Sequence, residues 1–154
     1  MLPDEERARN RDVVRRYLAC KGEEQRRARY ELFAADGQAG LWTSDKPEPI
    51  ATHGKEKLRD HGIWSLKCFP DWEWYNVEIF DTQHPTFFWA ECDGRGGIRF
   101  EGYPDGHYEN HFLHSFEFDA DGLILRQREF MNPLRQYEAL GIAVPQIVRA
   151  GIPT

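Results

Sequence analysis

Three side chains in this sequence have the chemistry to move protons, and their spacing decides whether they can meet. His61 and Ser65 lie one helical turn apart in the stretch HGIWSLKCFPDWEW, residues 61–74. Residues three and four apart share one face of a helix. Leu58, His61, Ser65 and Cys68 or Phe69 follow that spacing, so a histidine and a serine stand where a core helix would carry carbon. Histidine titrates close to working pH, at an unperturbed pKa of about 6.5; its competing role is that of a hydrogen-bonded core residue. Ser65 is suited to orient His61 or to hydrogen-bond a ligand. No G-x-S-x-G turn surrounds it, which argues against acyl transfer.

Glu129 is the third. In the last strand-like run Leu123, Leu125, Gln127, Glu129 and Met131 share one face, with Ile124, Arg126, Arg128 and Phe130 on the other. With the leucine and methionine side inward, Glu129 faces a ring-lined interior, where burial raises a carboxyl pKa towards neutrality. Two arrangements compete: a salt bridge to an inward arginine, or the reverse alternation with Glu129 outside. Trp72 and Trp74, on one side of the strand that follows, would wall a pocket for a planar molecule.

The elements that must position these groups come in two blocks. Residues 4–19 read as a helix with acidic residues first and basic ones after, and 23–32 as a second, shorter one. A turn at Phe33–Gly37 leads to a short strand at 40–43. With another at 50–53 it precedes a third helix, 54–66, which Pro70 stops, since proline disfavours helical geometry in the residue before it. Beyond it the period changes to two. Strands are expected at 72–80, 86–92, 98–102, 108–118 and 123–131, with Gly94–Gly97 as a hairpin turn. On strand 108–118, Tyr108, Asn110, Phe112, His114, Phe116 and Phe118 form the aromatic, core-facing side. Pro133 opens a last helix to about residue 140, and the tail from Ile142 is expected to pack without regular structure. Helices first and consecutive antiparallel strands after make an α+β fold. The expectation is a single domain, 1–154, with a strongly curved antiparallel sheet wrapped around three N-terminal helices to leave a conical cavity.

Composition narrows the function. Aromatic residues make up 14% of the chain, so the core is built largely from rings. The formal net charge of −6 argues against nucleic acid as a partner. The one basic cluster, Arg26-Arg27 with Arg29, is flanked by Glu23 and Glu24 and reads as a solvated helix face, Arg29 excepted. Cys20, Cys68 and Cys92 show no C-x-x-C spacing; with no signal peptide, free thiols in a cytoplasmic protein are expected. His111 and His114 point to opposite sides of a strand, and no H-E-x-x-H or Cys/His cluster occurs, so no metal is expected. No G-x-G-x-x-G or Walker loop is present.

Several segments resemble one family. They are LWT at 41–43, HGIWSLKCFPDWEW at 61–74, FWAECDGRG at 88–96, GYPDGHYENHFLHSFEF at 102–118, QREFMNP at 127–133 and LGIAVPQIVRAGIPT at 140–154, with NRDVVRRYLACKGEE at 10–24 more loosely. Together they are similar to the phenazine biosynthesis proteins PhzA and PhzB, over nearly the whole chain. The resemblance implies an NTF2-like (SnoaL-like) α+β barrel and a homodimer, with a PhzA-like paralogue as a further possible partner. It implies cofactor-free condensation of two molecules of a cyclic amino-keto acid, 6-amino-5-oxocyclohex-2-ene-1-carboxylate, into the tricyclic phenazine precursor. By the same resemblance Glu129 and His61 carry the acid–base work and Ser65 assists, while Tyr108, Trp72 and Arg29 bind substrate, Arg29 through the carboxylate. The PhzA-type members lack the histidine and serine, so both residues place this chain with the catalytic PhzB type. Three other functions stay open: a SnoaL-like ketone isomerase or cyclase, a non-catalytic protein sequestering a phenazine or its unstable precursor, and a PhzA-like supporting partner.

Overall fold

A computed structural model describes residues 1–154, and its helices form where the sequence period requires them. Helix α1 (Pro3–Ala19) opens on proline, carries Asp4, Glu5 and Glu6 in its first turn, and buries Val13, Val14, Tyr17 and Leu18. Helix α2 (Glu23–Ala28) tightens at Arg29 into a 3-10 turn, Arg29–Leu32, which swings the chain into the sheet. Helix α3 (Lys55–Cys68) runs up to the Phe69-Pro70 break. Helix α4 (Pro133–Ala139) is capped by the Asn132 side chain, which accepts a hydrogen bond from the Leu134 amide.

The sheet has six strands: β1 (Phe33–Leu41), β2 (Ile50–His53), β3 (Glu73–Asp81), β4 (Phe87–Ile98), β5 (Gly106–Phe118) and β6 (Ile124–Met131). Their order is β2-β1-β6-β5-β4-β3, in a curved sheet that does not close. It is the expected α+β arrangement with one correction: β1 and β6 pair in parallel, so the sheet is mixed rather than wholly antiparallel. Parallel neighbours need a long connection, and here everything between β1 and β6 supplies it.

Glycine misled the expectation at two places. The strand at 40–43 in fact starts at Phe33, because Gly37 does not turn the chain. A Cβ there would lie 2.8 Å from the Ile124 carbonyl oxygen, so the residue permits close approach of β6. The separate strands at 86–92 and 98–102 with a hairpin between them are one strand, β4, which contains Gly94–Gly97. A Cβ on Gly94 would run into the Trp72 indole and come within 3.0 Å of Phe112, and one on Gly96 would lie 3.0 Å from Trp72 Cα. These glycines seat a tryptophan.

The alternation of β5 is as expected: Tyr108, Asn110, Phe112, His114, Phe116 and Phe118 are all buried. On β6 it holds only in part. The register shifts between Glu117 and Phe118, so Ile124 is fully buried and Leu125 exposed, while Gln127, Glu129 and Met131 keep the inward face. The bulge reverses the phase of the first residues and leaves Glu129 where its alternation placed it.

The core divides in two. One cluster joins α1 to the deep end of the sheet through Val14, Tyr17, Phe33, Leu58, Phe88, Phe116 and Ile124. The other gathers Trp72, Cys92, Ile98, Tyr108, Phe112, Met131 and Leu140. Burying each large side chain contributes about 1.5–3 kcal/mol, so the two clusters hold the fold while a cavity opens between them. The tail lacks regular structure as expected but packs only at its start, where Ile142 lies against the second cluster; Ile147, Val148 and Ile152 are exposed.

Candidate active site

The cavity has a volume of about 580 Å³ and takes its walls from both core clusters. Hydrophobic residues make up 19 of the 32 that line it, the mostly apolar, few-polar-group character of a small-molecule site. All six residues singled out from the sequence, Glu129, His61, Ser65, Tyr108, Trp72 and Arg29, line this one space. They come from five separate segments: the 3-10 turn, α3, the break before β3, β5 and β6.

Rings form most of the wall. Trp72 stacks on Tyr108, with centroids 5.2 Å apart and planes at 29°, and Phe69 meets Trp72 edge-on at 5.7 Å. Trp74 stands perpendicular to Phe112 at 4.7 Å and to His114 at 4.6 Å. Offset and edge-to-face contacts such as these suit flat ligands and hold each ring in place.

The polar groups are few and distinct. The backbone carbonyl of Glu129 accepts from the Trp42 amide at 2.9 Å. Its carboxyl makes no hydrogen bond and no ion pair, which sets aside the salt-bridged arrangement. Burial pushes its pKa up to about 7, partly offset by the positive charge of Arg29. His61 lines the cavity beside Trp64, 5.3 Å between ring centroids, and stays accessible. Its pKa is held below the ordinary histidine value by desolvation and then by Arg29, so the neutral imidazole dominates at neutral pH. The two groups thus have opposite tendencies: a carboxyl that retains its proton and an imidazole that sheds one.

Ser65 does not orient His61. Its hydroxyl oxygen instead accepts from Arg26 Nη2 at 3.2 Å, and the same nitrogen donates to the Ser65 carbonyl at 3.2 Å. With a lone pair thus engaged, the Ser65 hydroxyl hydrogen is free for a ligand. Tyr108 is arranged likewise. Its oxygen accepts from Asn110 Nδ2 at 2.9 Å, and burial pushes its pKa up to about 12, so it is a hydrogen donor throughout the working range. Arg29 rests its guanidinium 4.6 Å above the Tyr17 ring.

Arg26 corrects the sequence reading. It is not part of a solvated face but buried, 4% exposed, on the cavity wall. Its neighbour Arg27 is the solvated one, paired with Glu23 at 2.9 Å. The signal was present: Arg26 and Arg29 are three apart on a helical segment, so an inward Arg29 carries Arg26 with it. A second missed group lies beside Glu129, its cross-strand partner on β5. His114 is fully buried, and its Nδ1 stands 2.8 Å from Gln127 Nε2. The Gln127 amide donates, which places the imidazole proton on Nε2, and burial depresses the pKa to about 3.

Helices laid across a curved open sheet around an acid-bearing aromatic cavity define the NTF2-like, SnoaL-like class. A candidate polyketide cyclase from Xanthomonas campestris shares this fold at a TM-score of 0.73 and 17% identity, over 88% of this chain and 98% of that one. The family is narrower. The family model described as phenazine biosynthesis protein A/B matches residues 3–154, and the chain belongs to that family. It is 60% identical over 148 residues to phenazine biosynthesis protein PhzB2 of Pseudomonas aeruginosa, covering 96% of this chain and 90% of that protein. It is 58% identical over 147 residues to PhzB of Pseudomonas fluorescens, over 96% and 90% respectively. The crystal structure of the Pseudomonas aeruginosa PhzB2 protein superimposes with a TM-score of 0.95 at 58% identity, covering 99% of this chain and 97% of that one. The chain is thus a phenazine biosynthesis protein by family, and no helix in it is long and apolar enough to cross a membrane.

Proposed function

We propose that this protein is a cofactor-free enzyme that condenses two molecules of 6-amino-5-oxocyclohex-2-ene-1-carboxylate into the tricyclic phenazine precursor. One observation carries the reading: a carboxyl with a pKa raised to about 7 shares an aromatic cavity with a histidine whose pKa is lowered. Imine formation needs both. The amine of one molecule attacks the ketone of the other, and its nitrogen sheds a proton to a base. The ketone oxygen takes a proton from an acid to give a carbinolamine; its hydroxyl takes a second proton and departs as water, and the iminium nitrogen gives up its remaining proton to the base, leaving the carbon–nitrogen double bond. Repeating the step in the opposite sense closes the central ring with loss of a second water. Protonated Glu129 is the acid, neutral His61 the base, and the Ser65 and Tyr108 hydroxyls donate hydrogen bonds to the oxygen that becomes the leaving group. Stacking two rings against the aromatic wall formed by Trp72, Tyr108 and Phe69 supplies register, which for a bimolecular reaction is a large part of the barrier.

The homodimer belongs with this reading. The outward face of the sheet carries exposed Leu113 and Leu125 with half-buried Trp89 and Phe130, an apolar patch fit for a second copy.

The test is product analysis. Substrate is generated in situ by the upstream isomerase, with and without this protein. An increase in tricyclic product that is lost in His61→Ala and Glu129→Gln is the expected result. Undiminished condensation by Glu129→Gln would remove the acid–base role, and no increase alongside tight binding of a phenazine would favour a sequestering protein.

A further inference from the structure

The strongest unanswered charge in the fold belongs to Arg26. Its Nη2 holds Ser65, but its Nη1 is buried with no hydrogen-bond partner at all. In the segment 23–32 only Arg27 has a protein carboxylate as its partner, Glu23. Arg26 and Arg29 therefore bring two unpaired guanidinium groups to one cavity. They diverge, Arg29 lying over Tyr17 of α1 and Arg26 against Ser65 of α3. A guanidinium removed from water without a counter-charge is strongly unfavourable, and an anion is what relieves it. Arg26 feels burial and the repulsion of Arg29, only partly offset by Asp71, with which it forms no ion pair, and its pKa falls to about 10.

The proposed reaction presents a matching count. Two condensing acids bring two carboxylates into one enclosed, largely apolar space, where their mutual repulsion would oppose stacking. Two free guanidinium groups cancel it. Resting on that reading of the cavity, we infer that Arg26 is a second carboxylate anchor: its Nη1 takes the carboxylate of one bound ring while its Nη2 fixes Ser65 beside it, leaving Arg29 for the carboxylate of the other. The planar fork of arginine allows both tasks from one side chain, which a lysine cannot reproduce.

The experiment uses the full chain and two stable tricyclic probes, phenazine-1,6-dicarboxylate and phenazine-1-carboxylate, with affinities from calorimetry. A charge-assisted pair at a buried site corresponds to roughly a 10- to 100-fold change in affinity. Wild type should therefore prefer the dicarboxylate by that factor, and Arg26→Met should bring the ratio close to one. Arg59→Met, which removes the same charge from an exposed position outside the cavity, should keep the preference. Arg26→Lys, which preserves charge without the fork, is the second variant and should give an intermediate ratio. A dicarboxylate preference undiminished in both Arg26→Met and Arg26→Lys overturns the second anchor while leaving the cavity reading intact. Failure of wild type to bind either probe overturns the cavity reading itself.

Discussion

Replacing Glu129 by glutamine is expected to stabilise the protein increasingly as pH rises from about 4.5 to about 7, and fully above that. Burial raises the Glu129 pKa from 4.5 to about 7, and neither a hydrogen bond nor an ion pair compensates the charge. Since the folded state holds this proton more tightly than the unfolded chain, the associated stability is fully present below the unfolded pKa and lost as pH rises through about 7. The gap between 4.5 and about 7, at about 1.36 kcal/mol per pH unit, gives roughly 3 kcal/mol as an upper figure. Water entering the cavity screens the charge and brings the expected value to about 1–3 kcal/mol. Glutamine keeps the shape and never ionises. For a domain of this size each kcal/mol moves Tm by about 2–4 °C, so the variant should melt roughly 2–12 °C above wild type at about pH 8 and level with it at about pH 4. Calorimetric melts of both proteins across that range provide the assay. An equal difference at both ends would mean that Glu129 is not the titrating group, and the acid role assigned to it would lose its physical basis.

Further outcomes follow from the same geometry. Turnover should be bell-shaped in pH, falling above about 7 as Glu129 ionises and on the acid side below the ordinary histidine range as His61 protonates; a pH–rate profile in which Glu129→Asp leaves the alkaline limb unmoved would contradict the assignment. His114, with a folded pKa near 3 against an ordinary 6.5, contributes stability present above about 6.5 and lost as pH falls through about 3. His114→Asn, which keeps an acceptor for Gln127, should therefore move the acid-unfolding midpoint followed by circular dichroism to lower pH. Gly94→Ala should cost about 1–3 kcal/mol in denaturant unfolding and alter tryptophan fluorescence, because the added methyl displaces Trp72 and Phe112; an unchanged midpoint would mean that the strand yields freely there. Leu113→Asp, on the outward sheet face, should shift the mass measured by light scattering from dimer to monomer without loss of helical signal.

The sequence disclosed whatever depends on period and concealed whatever depends on distance. The alternation of β5 set six inward side chains correctly, and the three-four spacing in α3 set His61 and Ser65 on the cavity wall. Glu129 was placed correctly despite a bulge that reversed Leu125 and Ile124, since register is restored on the inward side before Gln127. The errors came from residues whose role is fixed by a partner far along the chain. Gly37, Gly94 and Gly96 read as turns because glycine is common in turns; their reason for being glycine is Ile124 in one case and Trp72 in the others. The parallel pairing of β1 with β6 is likewise a long-range fact. Arg26 was hidden by local charge, since Glu23 and Glu24 make any nearby arginine look solvated, while only Arg27 uses one of them.

The unsatisfied groups of this fold are not scattered. The three buried polar side-chain atoms without a partner are Arg26 Nη1, Trp74 Nε1 and His114 Nε2. Arg26 and Trp74 line the cavity, and His114 packs edge-on against Trp74 directly behind it. Each is costly in a native structure, at about 1–3 kcal/mol or more for a charged group. Added to a glutamate held near pH 7, they concentrate the local violations of good packing chemistry in one place. A domain whose outer core is made of fully buried Phe88, Phe116, Ile98 and Ile124 has the stability to sustain that. The two orphans on the cavity wall, Arg26 Nη1 and Trp74 Nε1, are N–H donors, so a ligand that answers them must bring acceptors. A ring acid with a ketone and a carboxylate supplies them, whereas an apolar guest would leave both unanswered.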